Sequence, residues 1–211
     1  MHRRTFLAGA GLTAGAVALG LAGCTRGSEE GGRPGDLAGT MLENPLPKPT
    51  VVLQDTSGAP YSLATATAGE MAMLFFGYTS CPDVCPVTLG MVASALDKVR
   101  RDGVDPTVVF VGVDTARDTP ARLREYLDRY DARFVGLTGE PSAIDAAMAE
   151  VNLPAAVIDP DRTGGNYAVV HPSNVLVYTS DDLCHVMYGF GTRQQTWVED
   201  LPKVKARWSA A

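Results

Sequence analysis

Met71-Ala72-Met73-Leu74-Phe75-Phe76 contains no polar side chain and runs directly into Gly77-Tyr78-Thr79-Ser80-Cys81-Pro82-Asp83-Val84-Cys85-Pro86. An unbroken apolar run of this length predicts a strand buried on both faces, as at the centre of a parallel sheet. Leu89, Val92, Leu96 and Val99 follow at helical spacing, so a helix over Thr88 to Val99 is expected next. The two thiols therefore fall at a strand-to-helix junction. At positions i and i+4 of a forming helical turn they face the same side. Such a pair lies about 6 Å apart, within reach of a disulfide. The positive end of the helix dipole favours thiolate over thiol, and both metal ligation and disulfide exchange need the thiolate. A redox thiol pair, a disulfide and a soft-metal site are the readings open at this point. Copper(I) is soft and favours sulfur. A purely structural disulfide leaves unexplained why the pair sits at this junction between Pro82 and Pro86.

Outward from this stretch, strand and helix signals alternate. Val51 to Asp55 and Tyr61 to Leu63 flank Thr56-Ser57-Gly58-Ala59-Pro60 and read as a hairpin. Thr107-Val108-Val109-Phe110-Val111-Gly112-Val113 is a second buried strand. Thr119-Pro120 opens a helix, with Thr119 as N-cap and Pro120 at the first helical position. Phe134 to Leu137 is a short strand and Pro141 to Val151 a further helix. Asn174 to Tyr178 and His185 to Gly189 pair across Thr179-Ser180-Asp181-Asp182, and Gln194 to Trp208 is the closing helix. This order predicts an α/β fold: a thioredoxin-like central sheet with helices on both faces and an N-terminal hairpin extension.

The first residues address the compartment. His2-Arg3-Arg4-Thr5-Phe6-Leu7 is basic, Ala8 to Gly23 is small, apolar and uncharged, and Leu21-Ala22-Gly23-Cys24 closes the run. A basic region, an apolar region and small residues before a cleavage point describe a signal peptide. The run is short and Gly/Ala-rich for a span of about 20 residues. Arg3-Arg4 resembles a twin-arginine signal, and Leu21-Ala22-Gly23-Cys24 a bacterial lipobox that lipidates Cys24. The expected organisation is a signal peptide over 1–23, the lipidated Cys24 with a flexible linker over 24–47, and one domain over 48–211. The location that follows is extracytoplasmic, on the outer face of the bacterial cell membrane. Removing 1–23 lowers Lys+Arg from 18 to 16 while Asp+Glu stays at 24, taking the net charge from −6 to −8. That acidity excludes nucleic acid as an expected partner. It also leaves the membrane link to the lipid, for which a single acyl chain is marginal.

The stretches from Phe75 to Pro86, and from Phe110-Val111-Gly112-Val113-Asp114 through Arg117-Asp118-Thr119-Pro120 to Leu137-Thr138-Gly139, resemble the Sco/SenC family of copper-binding proteins involved in cytochrome c oxidase assembly. The family pattern is two cysteines separated by Pro-Asp-Val and a distant histidine before a strand. Cys81 and Cys85 match the cysteines, and His171 in Val169-Val170-His171-Pro172-Ser173-Asn174 matches the histidine. The resemblance implies one copper, Cu(I) or Cu(II), held by Cys81, Cys85 and His171. Two thiolates and one imidazole suit Cu(I) and fall short of the four ligands of a structural zinc. The implied partner is the copper-site subunit of cytochrome c oxidase. The implied role is delivery of copper to it or reduction of its thiols, with Cys81 and Cys85 as redox thiols. The copper donor and the thiol reductant are not legible.

The chain departs from the family pattern in places. Ser80 stands where His is usual, and Thr115-Ala116 replaces Pro-Glu. Val170 stands where an Asp often precedes the histidine, and Pro172 follows it in place of Ser. Val170 removes a carboxylate that would orient the imidazole, which predicts weaker copper affinity. Asp83 is expected to face solvent. Asp114 and Asp118 lie where a central strand ends, and either line the site or serve helix capping and an Arg117 ion pair. Cys184 and His185 are outside the pattern. An auxiliary metal site with Met187 is excluded by alternation along a strand, which points Cys184 away from His185 and Met187. Rival readings of the whole chain are a metal-independent thiol–disulfide oxidoreductase or peroxide-reducing enzyme, and a copper sensor. The three-residue spacer differs from the two-residue spacer of redox thioredoxins.

Overall fold

A computed structural model describes residues 37–158 and 167–209. The signal segment, Cys24 and residues 25–36 lie outside the described residues. Eight strands form one mixed sheet in the order β1-β10-β9-β4-β5-β6-β2-β3. They are β1 (Thr40–Pro47), β2 (Leu53–Asp55), β3 (Pro60–Tyr61), β4 (Ala72–Gly77), β5 (Thr107–Gly112), β6 (Val135–Thr138), β9 (Val175–Tyr178) and β10 (Leu183–Tyr188). A separate two-stranded ladder joins β7 (Val157–Ile158) to β8 (Val169–Val170). The helices are α1 (Leu63–Ala66), α2 (Val84–Val99), α3 (Pro120–Leu127), α4 (Pro141–Glu150) and α5 (Gln194–Arg207).

All six residues of β4 are buried, as its unbroken apolar run requires. It pairs in parallel with β5 from Ala72↔Thr107 to Gly77↔Gly112, and antiparallel with β9 on its other side. β5 pairs in parallel with β6. The three parallel strands thus end at one edge, and the cysteine loop leaves from the end of β4. α2 packs beside α5, and α3 covers β6, where Leu123 and Leu127 close on Gly136. The largest buried side chains are Trp197, Tyr178, Tyr188, Phe75, Phe76, Phe110 and Phe134. Trp197 meets Tyr188 with ring centroids 4.4 Å apart, which seats α5 on β10.

The hairpin expected near residue 56 is present as β2 and β3. Asp55 Oδ1 accepts from Ser57 N at 2.8 Å, Ser57 Oγ at 2.6 Å and Ala59 N at 3.0 Å, and Gly58 takes φ 85°. The helix expected from Thr88 begins earlier, at Val84, so Cys85 lies inside its first turn.

The linker boundary at residue 47 is corrected. Thr40–Pro47 is an edge strand paired with β10, from Thr40↔Met187 to Pro47↔Leu183, with a register shift between Met41 and Leu46. Its sequence shows no clean alternation and contains Pro45 and Pro47. Proline is tolerated on an edge because one side of the strand needs no donors. The strand exists because β10 offers it a free edge, which no local pattern announces.

Lys48, just after β1, has only 3% of its surface exposed. Its ammonium donates to the carbonyl oxygens of Thr67 and Glu70, the latter at 2.8 Å, and to Asp182 Oδ1 at 2.7 Å. A buried ammonium with three acceptors is satisfied. It ties the β9–β10 turn to the segment entering β4. Lys48→Met leaves buried carbonyls without a donor and should cost about 1–3 kcal/mol. A lower urea midpoint at unchanged m-value is the expected result. Asp182→Asn, at a more exposed position, should cost much less.

Candidate metal centre

Gly77 ends β4 and brings the backbone close to the site. A Cβ built there would lie 2.8 Å from Cys85 Sγ and 2.7 Å from the Phe110 ring, so no larger residue fits without moving the thiol. The chain then turns, with Cys81 N donating to Tyr78 O at 3.1 Å. Thr79 N and Thr79 Oγ1 both donate to Asp118 Oδ1, at 2.9 and 2.7 Å. Asp114 N donates to Asp118 Oδ2 at 3.2 Å. Burial pushes the Asp118 carboxyl up from its ordinary range, and the Thr79 hydrogen bonds oppose that. Asp118 therefore acts neither as a ligand nor as a cap. Thr79, two residues before Cys81, is clipped through it to the end of β5. The cap of α3 is Thr119, whose Oγ1 accepts from Arg122 N at 3.3 Å, as expected. Asp114 pairs with Arg117.

Only Cys85 of the two cysteines is helical; Cys81 lies in the loop before α2. The two still face each other, because Cys85 N donates to Cys81 Sγ at 3.5 Å. Both are unlinked thiols here. The Cys81 thiol is driven down to about 4. The hydrogen bond from the Cys85 thiol is the main cause, with smaller help from backbone N–H donors of the helix start, against an opposing burial cost. The Cys85 thiol is pushed far up, first by that same hydrogen bond to Cys81 and then by burial. The pair thus holds one proton, on the buried member.

His171 arrives from β8. Its Nδ1 lies 2.8 Å from Pro172 O. A carbonyl can only accept, so Nδ1 carries the proton and Nε2 presents its lone pair. Nε2 lies 3.6 Å from Cys85 Sγ. The ring is met edge-on by Tyr78 at 5.5 Å and Phe75 at 6.3 Å. Among the described residues, Cys81, Cys85 and His171 form the only group of three potential ligands, with ligand atoms within 4.8 Å of one another. Metal–ligand bonds of about 2.0–2.3 Å put two ligands of one ion at most about 4.6 Å apart. The S₂N set therefore fits a single soft ion after a small contraction.

One expectation changes. Val170 is 70% exposed, so a carboxylate there would point to solvent and would not orient the ring. The Pro172 carbonyl does that instead, and the weaker affinity argued from Val170 has no basis in the geometry. Cys184 is buried and donates to Val186 O at 3.3 Å, and burial pushes its thiol up to about 12. His185 stacks on Trp208 at 4.4 Å and pairs with Asp181 Oδ2 at 2.7 Å. Neither joins the cluster. Asp83, at the N-cap position, is exposed and makes no side-chain cap bond. Sequence reasoning passed over Gly77, Tyr78 and Tyr167. A glycine ending a strand beside a cysteine motif was the available signal for close backbone approach.

The profile of the family described as SCO1/SenC matches residues 47–206. The chain belongs to the SCO1/SenC family. Protein SenC of Rhodobacter capsulatus is 40% identical over 100 residues, 43% of this chain and 45% of the relative. An SCO2-like protein of Rickettsia felis is 33% identical over 105 residues, 50% of this chain and 51% of the relative. The matches span about half the length of these curated relatives. Among solved structures, Bradyrhizobium japonicum ScoI with copper bound aligns with TM-score 0.65 at 27% identity, over 75% of this chain and 98% of its own. Apo Sco1 from Thermus thermophilus aligns with TM-score 0.70 at 30% identity, over 80% and 97%. The fold is the mixed-sheet, thioredoxin-like fold of these Sco structures.

The thiol asymmetry has a direct readout. Cys81 should alkylate with iodoacetamide at a thiolate-limited rate that stays flat from neutral pH downward and falls only near pH 4. Its charged form lies above that pH, so acid and not base suppresses reaction. Cys85 should remain unmodified in the folded protein. A Cys81 rate that instead rises through the ordinary thiol range would contradict the assignment.

Proposed function

We propose that this chain is a copper-handling protein that carries one copper on Cys81, Cys85 and His171 and passes it to the copper-site subunit of cytochrome c oxidase. The observation that supports it best is the convergence of two thiols and an imidazole Nε2 whose other nitrogen is already engaged by a carbonyl. The copper named for the B. japonicum relative is consistent with that donor set. Cys81 is the half-exposed ligand and Cys85 the buried one. A thiol of the partner therefore reaches the ion on the Cys81 side, and the ion leaves by exchanging one thiolate at a time. Exposed apolar residues stand beside the ligands: Val87 on the turn of Cys85, and Val170 next to His171.

One observation favours a second role at the same site, namely the split between the two thiols. The Cys81 thiolate attacks a partner disulfide and forms a mixed disulfide. Cys85 gives up its proton and displaces the partner's sulfur. Cys81–Cys85 becomes the oxidised pair, and the partner leaves with both sulfurs reduced, one carrying the Cys85 proton and the other protonated by water. Reduction of the oxidase's copper-binding cysteines would precede delivery.

The compartment is part of the proposal. No helix among the described residues is long and apolar enough to cross a membrane. We assign anchoring to the lipidated Cys24, on the outer face of the bacterial cell membrane. Cys24→Ala should release the protein from membranes or block its processing. A mature N-terminus other than residue 24 would contradict this.

Titration of the reduced protein should show uptake of one copper. Cys81→Ala and Cys85→Ala should each abolish tight binding, because one thiolate and one imidazole leave the ion to weak water ligands. His171→Ala should weaken Cu(II) more than Cu(I) while the Cys81–Cys85 disulfide still forms. Loss of oxidase assembly in His171→Ala cells at limiting copper supports delivery; normal assembly there makes the thiol role the main one.

A further inference from the structure

His171 is held by little regular structure of its own. β8 is two residues long, and its ladder with β7 has only the pairs Val157↔Val170 and Ile158↔Val169, separate from the main sheet. The segment must be fixed to the core by other means. Val169 is buried in the core, and Arg117 makes the polar contacts that hold the rest of the segment. Its guanidinium pairs with Asp114, whose side chain is fully buried two residues beyond the end of β5. Nη2 of Arg117 donates to Tyr167 O at 3.1 Å, and the guanidinium carbon lies 3.7 Å from the centre of the Tyr167 ring. Tyr167 Oη closes the loop by donating to Asp114 Oδ1 at 2.7 Å. On its other side the same guanidinium stands 5.7 Å from the centre of the Tyr78 ring. Tyr78 is the ring that meets His171 edge-on at 5.5 Å.

We propose that Arg117 is a positioning residue for the metal centre: it locks the Tyr167–His171 segment and the Tyr78 wall to the buried Asp114, and so sets His171 Nε2 against the two sulfurs. This rests on the reading of Cys81, Cys85 and His171 as the copper ligands. A planar guanidinium can stack on one ring, donate to a carbonyl and pair with a carboxylate at once. An ammonium can donate to both acceptors but has no flat face to lay on the ring, so Arg117→Lys restores the charge without the stack. Outer residues that orient a metal ligand contribute about 10–100-fold in affinity. The loss here should fall on Cu(II), which needs the nitrogen, more than on Cu(I), which two thiolates still suit.

The test uses the full chain with Arg117→Gln, Arg117→Lys, Tyr167→Leu and His171→Ala variants, each checked for folding by circular dichroism and thermal melting. Cu(II) affinity in Arg117→Gln and Arg117→Lys should fall about 10–100-fold, and the Cu(II) EPR signal should move toward that of His171→Ala. Arg117→Gln combined with His171→Ala should bind no worse than His171→Ala alone, since both act through the same ligand. A metal-free readout runs in parallel. The ¹⁵N shifts of the His171 ring should report one Nδ1–H tautomer in the parent protein and an averaged ring in Arg117→Gln. Parent-like EPR, Cu(II) affinity and ring shifts in a folded Arg117→Gln overturn the proposal. If Arg117→Gln does not fold, Tyr167→Leu decides in its place, because it keeps the Asp114–Arg117 pair and removes the stack. A parent protein that binds no copper would refute the functional reading above, and the ring shifts alone would then decide this inference.

Discussion

The Asp118 carboxylate exposes no surface, and its two oxygens accept from Thr79 N, Thr79 Oγ1 and Asp114 N. A buried carboxylate must find donors or lose its charge. Here the donors come from the two loops that leave the parallel strands β4 and β5. The residue therefore welds the loop bearing Cys81 to the loop bearing Arg117. A Cβ at Gly112 would lie 2.8 Å from the Asp118 side chain, so the end of β5 is stripped to glycine to admit it, as the end of β4 is for Cys85. The candidate metal centre is built on that joint: Cys81 on one loop, with Cys85 in the helix that follows it, and the residue that contacts the histidine segment on the other.

The chemistry of the site follows from unequal burial of two like groups. Cys85 lies in the first turn of α2 against Phe110, while Cys81 stays half-exposed in the loop. Two thiols within hydrogen-bonding distance do not ionise together. The one nearer water and the helix N-terminus takes the charge, and the enclosed one keeps the proton. For the roles proposed, the same asymmetry would give a metal ion one accessible and one sheltered sulfur, and a disulfide exchange its attacking and resolving thiols. The two roles proposed for this chain draw on one electrostatic arrangement.

The histidine is positioned by a different strategy. The segment before it belongs to a short ladder outside the main sheet, so its placement depends on contacts beyond any ladder: the Pro172 carbonyl on Nδ1, Tyr78 and Phe75 on the ring edges, and Arg117 on the segment behind it. A loop attached this way can be held firmly by a few polar contacts, yet among the described residues β8 shares no ladder with β4, the strand that leads into the cysteine loop.

Much was legible along the chain. The apolar run of β4, the helical spacing after it, the Thr119-Pro120 helix start and the turn after Asp55 are local patterns whose physics acts over a few residues, and each element is present, although α2 begins one turn before its apolar spacing does. The cysteine pair was legible for the same reason, and His171 through its resemblance to a family motif. What only the tertiary structure decided involves groups far apart in sequence. β1 forms because β10 leaves an edge open. Lys48 is buried because three acceptors from two distant segments surround it. The orientation of His171 comes from a carbonyl and not from a carboxylate at position 170. Asp118 and Arg117, both visible as polar residues at a strand end, acquire their tasks from Thr79 and Tyr167, 39 and 50 residues away. Local periodicity carries no information about such partners, because hydrogen bonds and ring contacts depend on the distances that folding creates and not on separation along the chain.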